Sequence, residues 1–239
     1  MRFGGIIERM LRPTPLVAGE TYHIYNRGAG KARIFSNERD SLRFQILLYL
    51  ANSSEPVRLD DVLRRYKSQG RSLRNVFADE ETDKPFAEIL AYSLMPNHFH
   101  IILKQKSEDG ITQLMKKVCT AYSMYYNIKY ERSGVLFEGR FKSSHIDTDP
   151  YFRWIFTYVH LNPVELVASK WKEEGIRNPH AVRTYLNDYR YSSFRDYAGD
   201  ERPERAILAY DEAPDFLKTQ NDLEEMLADF KKGRVLHEE

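Results

Sequence analysis

Two β-rich runs, Phe86–Leu94 and His98–Lys104, are separated by only Met95-Pro96-Asn97. Pro and Asn favour a tight turn, so the pair reads as an antiparallel hairpin. What flanks that hairpin narrows the fold further. Upstream, Thr21-Tyr22-His23-Ile24-Tyr25-Asn26 is rich in β-formers and is stopped by Gly28 and Gly30, as a strand would be. Between strand and hairpin, Ser36 or Asn37 can cap a helix through Asn52, with Leu42, Ile46 and Tyr49 on one face. Downstream, Leu114, Val118, Ala121, Tyr122 and Tyr125 recur at helical spacing within 112–132, and Ser133-Gly134 ends the pattern. Val135–Asp147 reads as a last strand. The order β-α-β-β-α-β is the split βαβ arrangement, an α+β fold with an antiparallel sheet backed by helices.

A further helix follows. Asp149 as cap and Pro150 in the first turn open it, and Pro163 forbids its continuation past Asn162. Around this body, residues 1–17 carry Gly4-Gly5 and the Pro13/Pro15 pair and read as a flexible arm. Residues 53–85 are polar, with a weak helical stretch near Leu59–Tyr66, and read as an inserted excursion within a domain spanning 18–199. Residues 200–239 form an acidic extension, with a helix expected over Phe216–Lys232. That extension holds 12 acidic against 6 basic residues, leaving 30 basic against 23 acidic in 1–199. A mildly basic body suits a polyanion partner, although an ordinary charged surface has the same balance. The single cysteine, Cys119, excludes an internal disulfide and a multi-cysteine zinc finger. No run of roughly 18 apolar residues predicts a membrane span, and Glu8 and Arg9 interrupt the apolar N-terminus too early for a signal peptide. A cytoplasmic protein is expected.

Chemistry concentrates in two places. In His98-Phe99-His100 the period of a strand sends both imidazoles to one face and Phe99 to the other. Two imidazoles so placed can share one divalent cation, and two ordinary strand histidines would have the same spacing. In Tyr158-Val159-His160-Leu161-Asn162, Tyr158 and Asn162 stand one helical turn apart and stack on one face. An amide oxygen could complete a metal site with a phenol beside it; a core aromatic fits Tyr158 equally in a chain of 16 tyrosines. His160 points away from Tyr158 by about 200° at 3.6 residues per turn, and so reads as structural or as a substrate contact. His23, His145, His180 and His237 have no partner visible in the sequence and read as satisfied histidines.

Taken together, these segments resemble the single-tyrosine HUH transposases (His-hydrophobic-His), and more closely their REP-associated branch. The stretches that carry the resemblance are Tyr22–Gly28, Ser93–His100, Gly134–Lys142, Tyr158–Val164, and Tyr191-Ser192-Ser193-Phe194 with Tyr197. They cover about residues 20–199 without the excursion. Three departures stand out: the excursion is long, Glu138 replaces a commoner Gln, and a Tyr replaces a Trp in the closing segment. The resemblance implies a ferredoxin-like fold with the nucleophile on a helix after the last strand. It implies Mg2+ or Mn2+ held by His98, His100 and Asn162, with Tyr158 as nucleophile. The implied partner is single-stranded or hairpin DNA, with neither a membrane nor a nucleotide cofactor, and with a monomer or homodimer both open. Arg27, Arg140 and Lys142 near strand ends are candidate phosphate contacts, with Lys116 and Lys117 weaker ones. A hairpin binder without catalysis, a water-activating hydrolase and an RNA-binding module are the rival readings.

Overall fold

The computed structural model describes residues 15–55 and 58–214. Four strands, β1 (Thr21–Arg27), β2 (Ala87–Met95), β3 (His98–Gln105) and β4 (Lys142–Ile146), form one sheet in the order β2-β3-β1-β4. Every neighbouring pair is antiparallel. The expected split βαβ topology is therefore present, with the histidine strand in the centre.

Helix α1 (Glu38–Leu50) starts at Asn37, whose side chain accepts from the Asp40 amide. Helix α4 (Gly110–Lys129) lies beside α1 on one face of the sheet, and α2 (Leu59–Ser68) and α3 (Val76–Asp79) come between them in chain order. Between these helices and the sheet, Phe99 meets Phe44 of α1 and Phe137, with Tyr122 of α4 against Phe44 in turn. The excursion takes part in this packing: Tyr66, Val76 and Phe77 are buried in the main core. Its polar surface hides that contribution, because only a few side chains per short helix face inward.

Helix α5 (Asp149–Leu161) covers the opposite face, against β2 and β3. Its cap is Thr148, not Asp149: Thr148 is extended and its hydroxyl accepts from the Tyr151 amide, which puts Asp149 and Pro150 inside the first turn. Past α5 the chain makes a 3-10 turn over Asn162–Leu166, then α6 (Trp171–Glu174), α7 (Pro179–Asp188) and α8 (Phe194–Tyr197).

The last strand is shorter than expected. Residues 135–141 spend their backbone groups on the end of β1 and not on a ladder: Ala29 N donates to Leu136 O, Glu138 N to Arg27 O, and Asn26 Nδ2 to Gly139 O. Gly28 lets the turn after β1 close tightly, since a Cβ there would lie 2.1 Å from the Ala32 carbonyl oxygen. At the other edge, β2 is covered by Tyr191–Ser193 and by Ala209, whose amide donates to Ile89 O. The acidic extension thus begins as a clasp on the sheet; the helix expected over Phe216–Lys232, and most of the N-terminal arm, lie outside the described residues.

Candidate active site

Alternation along β3 does what the spacing predicts. Phe99 enters the core between sheet and α1, while His98 and His100 turn towards α5, their ring centroids 5.1 Å apart. Directly paired residues share a face, so the pairing of Tyr25, His100, Ser93 and Lys142 in one row, and of Arg27 with His98 in the next, lays out the floor of the site.

Helix α5 supplies the roof. Tyr158 meets His100 edge-to-face at 5.4 Å and stacks on Trp154, one turn earlier, at 5.4 Å. It is half-buried, neither sealed in the core nor free. Asn162 is wholly buried at the end of the same helix, and its Oδ1 lies 3.2 Å from His98 Nε2. Tyr158, His98, His100 and Asn162 therefore converge. His160 does not join them: on the far side of α5 its Nε2 pairs with Ser193 Oγ at 2.7 Å, and burial lowers its pKa to about 3. The structural reading of His160 is the one the fold adopts.

The donor set fits a cation. Burial lowers the pKa of His98, and that of His100 well below the ordinary value, so both rings are neutral and each has a lone pair to give. A neutral imidazole has one N–H, yet His98 Nδ1 faces Asn97 Oδ1 at 2.7 Å while Nε2 faces Asn162 Oδ1. With Nδ1–H donating to Asn97, lone pair opposes lone pair at Nε2, and a cation between them removes that conflict. A 3.2 Å gap also matches neighbouring ligands of an octahedral ion with bonds of about 2.1 Å. Buried polar atoms without partners gather here as well: Asn162 Nδ2, His23 Nδ1, Ser93 Oγ and Trp154 Nε1. Unsatisfied buried groups on this scale are costly unless a ligand meets some of them. Among the described residues no three His, Cys, Asp or Glu side chains lie together as a metal set, and the oxygen beside the histidine pair is that of the Asn162 amide.

Two residues here carried no signal in the sequence. His23 of β1 reaches His100: its Nε2 lies 2.8 Å from His100 Nδ1, and the rings stack at 5.0 Å. Alternation places His23 and Tyr25 on one face of β1, but only the strand register reveals which histidine they meet. The second is Lys172 of α6, whose Nζ donates to the Tyr158 hydroxyl at 3.2 Å.

The basic residues divide. Arg27 lies beside His98 but forms a two-pronged ion pair with Glu138. Lys142 is exposed on the site's face, at the edge of the row through Tyr25 and His100, and Arg140 is exposed just before it. Lys116 and Lys117 belong to α4, across the sheet from Tyr158. Lys117 donates to the Ser53 carbonyl at 2.7 Å and covers the Phe86 ring, which is a packing role.

The family model described as "Transposase IS200 like" matches residues 63–162, from within the excursion to the end of α5. No curated protein matches the chain in sequence. Among solved structures, a REP-associated tyrosine transposase bound to a REP hairpin aligns with 86% of this chain and 91% of its own, at 15% identity and a TM-score of 0.44. A tRNA(His) guanylyltransferase from Saccharomyces cerevisiae aligns with 91% of this chain and 90% of its own, at 10% identity and a TM-score of 0.31. The matched stretch, 63–162, contains the histidine pair, Tyr158 and Asn162, and is similar to the IS200-like transposases.

Proposed function

We propose that this chain is a divalent-metal-dependent endonuclease and strand transferase for single-stranded DNA, acting on hairpin-forming repeats through a 5′-phosphotyrosine at Tyr158. The observation that carries the reading is the meeting of a half-buried phenol with two neutral imidazoles and a buried amide, brought together from β3 and α5. A Mg2+ or Mn2+ ion held by His98, His100 and Asn162 would neutralise charge on the scissile phosphate. Tyr158 is the only hydroxyl nucleophile that α5 presents beside the pair, since Trp154 precedes it and Val159 faces the core. Its oxygen attacks phosphorus in line, the P–O3′ bond breaks, and the 3′ oxygen leaves to take up a proton from water. The bond energy is kept in the phosphotyrosine, so a 3′-hydroxyl can reverse the step and rejoin DNA without ATP. The stacked Trp154 and Tyr151 rings continue from Tyr158 along α5 and suit the flat faces of unpaired bases. On this reading Tyr158 and the histidine pair of one copy complete the site together.

The test is a labelled single strand carrying a hairpin, incubated with protein and metal and run on a denaturing gel. A shifted covalent band is expected for the wild type, with the label mapping to the Tyr158 peptide, and none for Tyr158→Phe at unchanged DNA affinity. An adduct retained by Tyr158→Phe would refute the assignment. Cleavage without any adduct would favour a water-activating hydrolase, and binding without cleavage a hairpin-binding protein.

A further inference from the structure

Beyond the family match, which ends at Asn162, the chain folds back on itself in a way that bears on Tyr158. After the turn at Pro163, Trp171 is buried without exposure and anchors α6. The next residue, Lys172, is thereby held over the nucleophile: its Nζ is 3.2 Å from the Tyr158 hydroxyl and 4.8 Å from the ring centroid. Glu165, from the turn between α5 and α6, lies 3.4 Å from the same ammonium and holds its other side. Burial works to lower the pKa of Lys172, but Tyr158 and Glu165 outweigh it and the pKa is raised, so the ammonium keeps its proton.

Resting on the reading of Tyr158 as nucleophile, we infer that Lys172 is a further catalytic residue, which stabilises the negative charge on the Tyr158 oxygen whenever that oxygen is free of phosphorus. In cleavage, Tyr158 loses its proton to water and the oxygen approaches phosphorus with the ammonium beside it. In rejoining, a 3′-hydroxyl oxygen bonds to phosphorus and gives its proton to water. The P–Oη bond breaks and its electron pair stays on Oη, where Lys172 meets it with a charge-assisted hydrogen bond. A fixed ammonium at the leaving oxygen makes the covalent intermediate as easy to resolve as to form. That is what strand transfer requires and simple nicking does not.

The experiment measures adduct formation and adduct resolution separately, in single turnover on a hairpin-bearing single strand. Lys172→Met is expected to slow both by about 10²-fold, the cost of removing one preorganised donor, with DNA affinity unchanged. Lys172→Arg is expected to restore most of the rate. Replacing Tyr158 by 3,5-difluorotyrosine, a better leaving group, should recover resolution in Lys172→Met more than in the wild type. Wild-type rates in Lys172→Met, equal losses in the Met and Arg variants, or no fluorotyrosine recovery would each overturn the inference. The two readings fail separately: an adduct in Tyr158→Phe removes both, whereas a wild-type adduct that Lys172→Met forms and resolves equally fast removes only the role of Lys172.

Discussion

The two faces of β3 carry out opposite tasks with adjacent residues. On the face towards α1 and α4, Phe99 and its neighbours Ile101 and Leu103 are fully buried among aromatic and aliphatic side chains. On the face towards α5, His98 and His100 stand among polar atoms whose hydrogen bonds are incomplete. The first face is satisfied and holds the sheet. The second is under-satisfied, which a fold tolerates where something else is to be bound. A single strand can do both because its side chains alternate, and the sealed face fixes the register on which the open face depends.

That contrast can be broken by exchanging the losses. Phe99→Ala should cost about 3–5 kcal/mol of stability, as large-to-small changes at sealed core positions do, read as a shift in the urea midpoint. His98→Ala should leave folding nearly intact and lower metal-dependent cleavage by two to three orders of magnitude, roughly what loss of a preorganised charge-stabilising group costs. If His98→Ala instead unfolds the protein while cleavage per folded molecule persists, the open face is only another part of the core.

Acid should act through the histidines buried on the two sides of α5. His23 and His160 are buried neutral with pKa values of about 3, against 6.5 for an ordinary histidine. The unfolded chain therefore binds more protons below 6.5, and stability, complete above that value, declines as pH falls from 6.5 towards 3. The check is the unfolding midpoint between pH 7 and 4, with His160→Gln reducing the slope. A flat midpoint down to pH 4 would mean that these rings are not held neutral.

The smallest effects should fall on charge. Lys142→Ala, on the site's face, should weaken DNA binding and lower the salt slope by about one, whereas Lys116→Ala, across the sheet, should leave affinity within about twofold. Equal effects would mean that DNA does not approach from the α5 side.

Much of this was legible from residues because it rests on local periods: the order of strands and helices, the alternation that joins His98 to His100, the turn that aligns Tyr158 with Asn162. Failures came where distant segments decide. The run 135–141 has strand-like residues, but its carbonyls and amides are taken by Arg27, Ala29 and Asn26. Arg27 is a plausible phosphate ligand by position, yet Glu138, from 111 residues later, already occupies its guanidinium. His23 finds its role only through the β1–β3 register, and Lys172 only through a buried tryptophan that no periodicity marks.

The most direct test of the convergence is Mn2+ added to the purified protein and followed by electron paramagnetic resonance, with nitrogen couplings resolved. The account predicts one bound ion coupled to two imidazole nitrogens, with one coupling lost in each of His98→Ala and His100→Ala and affinity reduced in Asn162→Ala. An ion that shows only water ligands, or a spectrum unchanged by those three substitutions, would contradict it.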